Sequence, residues 1–442
     1  MNELTWSVVV IALVALVGCN VQTSSGPSEP ASQPAAVGAE AYYQWLTGCL
    51  DAIEKDLPKY TRSAEAAAEL YVKDGCEIAD YGGDPFAREI FGRSGGMMKM
   101  MTFDEALLGK KLAPELEKAV VLVGLRDDGV DKAAEKIAEF KKKGYYVVVF
   151  GRAALLARVR ATGALADAEF DTHAAPEGGL FQDAKGQWII PTDSAAASAA
   201  SWMWMGEFVA ACTRQGKMPV MYLGYAVEGA MEREARYKGV KFHDKLPSRL
   251  EVGQLSKQWM SSLRKSLASM HASDMPQIRR AAAEAKEARA AGHKLWAYLQ
   301  GHVTLKLLPY PHDPQWFEPI HRDWATLRKD ATVGKGDFVL CIGFNQVFAG
   351  KDWGNFAENS RAAGAKLAWS FTDYMPEQVR AVPAGEIYIN QHWDKGDAVA
   401  LVPNYDIQCL PTSGVIAEAV LWMVHAEILS TNDTNCTKGN SK

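Results

Sequence analysis

Apolar runs of strand length alternate with amphipathic helical patterns along most of the chain. Two of these runs end at a glycine. A helical pattern follows each of them, over 130–142 in the first case and over 353–363 in the second, and a further apolar run comes after each helix. The four runs cover residues 118–124, 145–150, 335–343 and 366–371. Nearly continuous apolar strands separated by helices predict parallel sheets covered by helices on both faces.

This pattern of strands and helices occurs twice in the sequence. A helix, a glycine break and a strand are predicted over 64–79 and again over 281–297. A proline-initiated apolar stretch that contains Trp-Met and a glutamate also recurs after 220 residues. The matching residues are Pro191, Thr192, Trp202, Met203 and Glu207 in the first copy and Pro411, Thr412, Trp422, Met423 and Glu427 in the second. The Trp-Met pairs lie in apolar helices, which predicts that they belong to the core.

We therefore predict an α/β fold of two tandem three-layer domains with mostly parallel sheets, of the flavodoxin-like Rossmann type. The domains are expected at 40–215 and 259–430, with a connector at 216–258 and a disordered tail at 431–442. Ligand sites in open parallel sheets lie beyond the carboxyl ends of the strands, and sites between duplicated domains lie in their shared crevice.

The first residues predict an export signal. Residues 8–17 (VVVIALVALV) are apolar but too few to span a bilayer, and Gly18 and Cys19 follow them. The run resembles a bacterial lipobox, which implies a signal peptide at 1–19, a lipid on Cys19 and a membrane-anchored protein of the periplasm or cell surface. No lysine or arginine precedes the apolar run, and an uncleaved helix is the alternative. Residues 20–39, rich in Ser, Pro and Gln, predict a flexible tether.

Charge, cysteine content and the lack of standard motifs argue against several classes of function. The chain of 442 residues carries 48 Lys and Arg against 53 Asp and Glu, a net charge of −5, so a nucleic-acid partner is not expected. No Cys-x-x-Cys occurs, and most cysteines lie in apolar stretches typical of buried thiols. Standard phosphate-loop, dinucleotide, nucleophile-elbow and zinc-protease motifs are also missing. We predict no cofactor and no metal, and the sequence leaves self-association open.

Several short motifs resemble the sugar isomerase (SIS) family. Residues 89–96 (EIFGRSGG) resemble its E-x-x-x-R-x-G-G stretch, 335–340 (KGDFVL) its Gly-Asp-hydrophobic strand, and 356–371 its crossover helix and strand. Residues 226–231 (AVEGAM) resemble a helix start in the isomerase domains of glucosamine-6-phosphate synthase, but the family's catalytic lysine and glutamate are replaced by Glu232 and Ala235. The resemblance implies two SIS-like domains that bind a carbohydrate derivative.

The family's Ser/Thr-rich phosphate turns are absent from both copies. Acidic residues follow the first-copy strands instead, and a carboxylate repels phosphate. Polar residues at the predicted strand ends are our ligand-binding candidates, while catalytic residues stay unassigned. The candidates are Tyr81, Gly82, Gly83, Asp84, Arg88, Arg126, Asp127, Asp128, Gly301, His302, Thr304, Asn345 and Gln346, with His243 added from the connector.

Each candidate also has a plain structural interpretation as a turn, a helix cap or a surface residue. The aromatic segment 309–324, which contains Tyr310, His312 and Trp316, could stack on a sugar, but we favour packing of a loop onto the sheet.

We thus expect an exported, lipid-anchored protein that binds a sugar-like or other small polar molecule between two duplicated domains, without a requirement for catalysis. The alternatives are a sugar-phosphate isomerase or lyase, a transport-type solute-binding lipoprotein, and an envelope scaffold without a ligand. A uniform offset near 220 residues favours sequential domains over the interleaved lobes of transport proteins.

Overall fold

Two five-stranded sheets, each drawn from one half of the chain, form the centre of the protein. The computed structural model describes residues 36–83, 85–108, 114–224, 227–245, 247–301, 307–321, 328, 330–343, 351–374, 382–394 and 396–430. Residues from 36 onward group into one compact unit. The predicted Cys19 lipidation site and the tail therefore lie outside the described residues.

The first half and the connector follow the predicted alternation. Their helices are α1 (Gly38–Lys55), α2 (Leu57–Lys73), α3 (Phe86–Ile90), α4 (Glu105–Leu108), α5 (Val130–Lys142), α6 (Ala153–Ala161), α7 (Asp193–Arg214) and α8 (Ala230–Tyr237). Their strands are β1 (Glu77–Tyr81), β2 (Met101–Thr102), β3 (Ala119–Gly124), β4 (Tyr146–Gly151), β5 (Ala168–Asp171), β6 (Gly179–Gln182) and β7 (Trp188–Pro191).

The second half repeats this order. Its helices are α9 (Gln254–Ser273), α10 (Met275–Ala290), α11 (Lys351–Ala362) and α12 (Ser413–Ser430). Its strands are β8 (Leu295–Leu299), β9 (Phe317–Pro319), β10 (Phe338–Ile342), β11 (Lys366–Phe371), β12 (Ile387–Asn390), β13 (Ala398–Ala400) and β14 (Cys409–Pro411). Because α9 begins within the predicted connector, the boundary at 258 stays a prediction.

Both large sheets are parallel and share one strand order. The first runs β2-β1-β3-β4-β5 and the second runs β9-β8-β10-β11-β12, with every neighbouring pair parallel. In the first sheet Ile78 lies opposite Val120, and in the second Val339 lies opposite Trp296. The central strands are buried along their length, as parallel strands covered on both faces must be. The predicted α/β class with two mostly parallel sheets is confirmed.

A two-stranded hairpin in each half reaches the other half. Ile190 in β7 and Leu410 in β14 both have a left-handed backbone, with φ of 64° and 65°. The Ile190 N–H donates to the carbonyl of His312 at 2.9 Å, and the Leu410 N–H donates to the carbonyl of Gly95 at 2.8 Å. The loop that follows the first strand of each half therefore pairs with the hairpin of the opposite half.

Two helices that are buried almost all round, α7 and α12, carry the repeated Trp-Met pairs. All four side chains are fully buried, which confirms that they belong to the core. Among the described residues, α12 is long and apolar enough to cross a membrane, but 89 % of it is buried inside the protein. A core helix of a globular fold accounts for that composition.

The glutamate of the repeated motif binds the first helix of the opposite half. Glu207 on α7 accepts the N–H of Gly253, at the start of α9, at 3.0 Å. Glu427 on α12 accepts the N–H of Ala39, in the first turn of α1, at 3.0 Å. Carboxylates at helix N-termini satisfy free N–H groups and oppose the positive end of the helix dipole. Each half thus contributes the helix end that the other half caps.

A His–Asp pair fastens a helical hairpin to the last strand of each large sheet. His173 after β5 lies 3.0 Å from Asp56 between α1 and α2, and His392 after β12 lies 2.7 Å from Asp274 between α9 and α10. Both histidines have a positive φ, 55° and 53°.

The five cysteines among the described residues are free and buried, as the sequence predicted for thiols in apolar stretches. Burial raises the pKa of the thiols of Cys49, Cys212, Cys341 and Cys409, which keeps them protonated and unreactive.

Candidate functional site

The glycines predicted at the end of β1 shape the backbone. Gly82 has a φ of 148°, and a Cβ there would lie 2.5 Å from the carbonyl oxygen of Gly124. Gly83 has a φ of 73°. Tyr81 is buried edge-on against Phe140, with the ring centroids 5.9 Å apart. These contacts let the loop after β1 cross the end of β3, which is a structural role.

The three polar residues after β3 separate into two groups. Arg126 donates from Nε and Nη2 to the carboxylate of Asp128, at 2.7 and 2.6 Å, and forms a surface pair. Its guanidinium also lies 5.5 Å from the ring centre of Tyr310. Asp127 instead joins an ion-paired cluster with residues of both halves.

This cluster, which we name the strand-end cluster, consists of Asp127, Arg152, Asp193 and His312. Arg152 directly follows β4 and donates to Asp127, at 2.7 and 3.0 Å, and to Asp193, at 2.7 Å. Asp193 begins α7. His312, in the loop that follows β8, lies with Nε2 2.8 Å from Oδ2 of Asp127. The carboxyl end of the first sheet therefore meets the loop between β8 and β9 of the second half through one His–Asp contact.

Both ring nitrogens of His312 face acceptors. Nδ1 lies 3.0 Å from the carbonyl oxygen of Trp188, and Nε2 faces Asp127. A carbonyl oxygen or an ionised carboxylate can accept a hydrogen bond only from a nitrogen that carries a proton. The geometry therefore fits the imidazolium ion, and the hydrogen bond with Asp127 raises the pKa of His312 against the effect of burial.

The two carboxyl groups of the cluster have opposite pKa shifts. Burial alone would raise the pKa of Asp127, but hydrogen bonds from His312 and Arg152 outweigh it and hold the pKa well below its usual range. Burial raises the pKa of Asp193 to about 6, opposed by Arg152. Asp127 is 26 % exposed and Asp193 5 %, so Asp127 is the anionic group that faces solvent.

A second polar cluster, which we name the core cluster, is fully buried and consists of Glu89, Arg93, Asp397 and Ser413. Arg93 donates to the hydroxyl of Ser413 at 2.7 Å and lies 3.2 Å from Asp397 and 3.4 Å from Glu89. The E-x-x-x-R part of the resemblance to the SIS family therefore joins the first half to the start of α12.

The described candidates His243, Arg88 and Gly301 are not members of the strand-end cluster. His243 is bound by Tyr237 Oη at 2.7 Å and packs edge-on against the ring of Tyr405, between the connector and a second-half loop. Arg88 is half-buried on α3 and Gly301 is buried after β8. Five candidates lie outside the described residues: Asp84, His302, Thr304, Asn345 and Gln346.

Sequence reasoning missed three members of the cluster. Arg152 directly follows β4, and the predicted candidates include no residue from the end of that strand. Asp193 directly follows the repeated Pro-Thr pair and is not among the predicted candidates. His312 was assigned to loop packing. A search for charged residues directly after every predicted strand would have found Arg152.

Two surface depressions lie apart from the strand-end cluster. One of about 500 Å³ is formed by the first turns of α9 and by Val399, and the other, of about 560 Å³, by α5 with Phe103 and Tyr145. Neither depression is lined by a member of the strand-end cluster.

No family model matches the sequence, and no curated protein matches it. Among solved structures, the chain is similar to the C-terminal domain of glucosamine-fructose-6-phosphate aminotransferase from Francisella tularensis. The identity is 11 %, the match covers 88 % of this chain and 97 % of that chain, and the TM-score is 0.44. It is also similar to tagatose-6-phosphate ketose/aldose isomerase from Escherichia coli. That identity is 12 %, the match covers 91 % and 92 % of the two chains, and the TM-score is 0.39.

Proposed function

We propose that the chain binds a small polyhydroxylated molecule of the carbohydrate class where the strand-end loops of the two sheets meet. The observation that supports this is the 2.8 Å contact between His312 and Asp127, which brings charged groups from both halves to one partly exposed point. Carboxylates accept hydrogen bonds from sugar hydroxyls, and a guanidinium or imidazolium donates to ring and hydroxyl oxygens.

Asp127 retains capacity for a ligand. A carboxylate offers about four acceptor positions, and Arg152 and His312 occupy three of them. One position on Oδ1 remains for a ligand hydroxyl.

The described cluster favours a neutral ligand over a phosphate. Arg152 already holds two carboxylates, Asp127 and Asp193, so a phosphate would have to displace one of them or approach both. Like charges at such distances repel each other strongly in a partly buried site.

Binding without catalysis is the function that these residues support best. Isomerisation of a sugar needs a general base with a pKa near the working pH. Asp127 is too weak a base because its pKa is depressed, and Asp193 is buried behind Arg152. His312 is held as the imidazolium between two acceptors and cannot take up a proton, so an isomerase activity would need a base from outside this cluster.

Isothermal titration of the full chain with a panel of neutral sugars, amino sugars and sugar phosphates tests the proposal. For any sugar that binds, Asp127→Asn should weaken binding by about 10- to 100-fold, because one charge-assisted hydrogen bond contributes about 1.5–3 kcal/mol. The matched control is Asp128→Asn in the same turn, which should leave the affinity within about twofold. Equal affinities of the two variants, or no binding by the wild type, would refute the assignment.

We also propose export and lipid anchoring through Cys19, supported by the apolar run and the small residue that precede it. Cys19→Ala should move the protein from the membrane fraction to the soluble fraction, and globomycin should block processing of the wild type alone. Processing of the wild type that globomycin does not block, or membrane association of Cys19→Ala equal to that of the wild type, contradicts the proposal.

A further inference from the structure

A buried carboxyl group lies where equivalent positions of the two halves touch. Ser198 on α7 donates to Oε1 of Glu418 on α12 at 3.1 Å, and the two residues are 220 positions apart, the same offset as the repeated motif. Residues that are equivalent in two repeats can meet only near the axis that relates the repeats. Both side chains are fully buried.

Glu89 brings a second carboxyl group to the same place. Its carboxylate lies against Gly414, one turn before Glu418, so closely that a Cβ on Gly414 would be 2.2 Å from it. Oε1 of Glu89 accepts the indole N–H of Trp202 at 2.8 Å. Oε2 of Glu89 and Oε2 of Glu418 have no hydrogen-bond partner within the described part of the chain.

The positive charge nearby is already neutralised. Arg93 forms ion pairs with both Glu89, at 3.4 Å, and Asp397, at 3.2 Å, so its single positive charge balances only one of these carboxylates. Asp397 also accepts the N–H groups of Thr412 and Ser413, at 3.1 and 2.8 Å, which stabilises it as the ionised form.

Among the residues that the structure describes, no other group facing the two glutamates compensates a second negative charge. The nearby phenols, Tyr42 and Tyr310, are neutral because burial raises the pKa of both well above the ordinary value. Asp193, the charged neighbour of Tyr310, is paired with Arg152. Two ionised glutamates would leave this buried junction with unbalanced charge, which is costly.

We propose that Glu89 and Glu418 form a proton-operated contact, closed while both carboxyl groups are protonated and loosened when they ionise. Burial raises the pKa of Glu89 to about 7 and that of Glu418 to about 8, from an ordinary 4.5. Groups whose folded-state pKa is raised contribute stability below the unfolded pKa and lose it as pH rises through the folded pKa. The stability that the pair contributes is therefore full below about pH 4.5 and is lost up to about pH 8, while the contact itself opens as pH passes about 7 to 8.

The contact adjoins the strand-end cluster. Tyr310 interacts electrostatically with both Glu418 and Asp193, and its ring lies under Arg126. Loosening of the junction between α3, α7 and α12 therefore reaches the start of α7, where Asp193 holds Arg152. The protonation state is a property of the empty protein and does not depend on the proposed ligand.

Thermal unfolding of the full chain between pH 5 and pH 9 tests this inference with Glu418→Gln, Glu89→Gln and, as control, Glu287→Gln, whose side chain is 72 % exposed. The wild-type midpoint should fall as pH rises, and each buried variant should flatten the fall and unfold at a higher temperature than the wild type at pH 9. For Glu418 alone the unfolding equilibrium should shift on the order of a thousandfold, because each pKa unit is tenfold. The control should follow the wild type.

Infrared spectroscopy keeps the inference testable if a variant fails to fold. The wild type should show the carbonyl band of a protonated carboxyl group at pH 6 that disappears by pH 9. Amide exchange in the first turns of α7 and α12, corrected for the intrinsic rate, should accelerate over the same range. Parallel melting curves for wild type and Glu418→Gln, or no such infrared band, would overturn the proposal.

Discussion

Replacement of Glu207 by methionine tests the exchange of helix caps between the halves. Glu207 is fully buried and accepts hydrogen bonds from the Gly253 N–H and from the hydroxyls of Ser256 and Thr61. Thr61 also donates to the carbonyl of Leu57 and keeps a partner after the substitution. The Gly253 N–H and the Ser256 hydroxyl lose their acceptor at the start of α9.

The expected cost follows from these two donors. A buried donor left without a partner costs about 1–3 kcal/mol, and methionine fills nearly the volume of glutamate. The variant should therefore lose about 2–6 kcal/mol of the free energy of unfolding. Glu427→Met should lose about 1 kcal/mol, because its side chain is half-buried and accepts the N–H of Ala39 in the first turn of α1.

Chemical denaturation followed by circular dichroism measures both losses. The control is Glu251→Met, an exposed glutamate just before α9, which should change the free energy by less than about 0.5 kcal/mol. If Glu207→Met and Glu251→Met denature alike, the buried carboxylate does not hold α9 and the reasoning fails.

Two further changes separate packing from hydrogen bonding. Gly124→Ala should destabilise the protein by about 1–3 kcal/mol in the same assay, because a Cβ there would lie 2.3 Å from the ring of Phe86. Gly48→Ala, at an exposed position inside α1, should instead stabilise the protein by about 0.5–1 kcal/mol, because glycine is unfavourable in a helix interior. Asp274→Ala should lower the free energy of unfolding by about 2–4 kcal/mol, because Asp274 is buried and accepts hydrogen bonds from a backbone N–H and from a histidine. Asp56→Ala should lower it by about 1 kcal/mol, because Asp56 is more exposed. Equal effects within either pair would contradict these assignments.

The central strands could be predicted because they are buried on both faces. Runs such as 118–124 and 366–371 have no alternation to obscure them, and β3 and β11 lie where expected. The edge strands β2 and β9 were not predicted, since two or three residues carry no measurable period.

The candidate site was predicted only in part, because its members are far apart in the sequence. Asp127 follows a recognisable strand, so its place at the carboxyl edge could be inferred. Its partner His312 is 185 residues away, and no local pattern shows that the loop after β8 reaches the first sheet. The His–Asp pairs of the two halves escaped notice because a single residue on each of two distant segments carries them.

The described body begins and ends at one place. A Cβ on Gly38 would lie 2.7 Å from the hydroxyl oxygen of Ser430, so the first turn of α1 meets the last turn of α12. The polypeptide is therefore topologically close to a ring, with the connector as the opposite junction. A short Gly-Ser bridge from Ser430 to Gly38, with new termini opened beside the exposed Gly239, should give a circular permutant that keeps every cap and strand pairing.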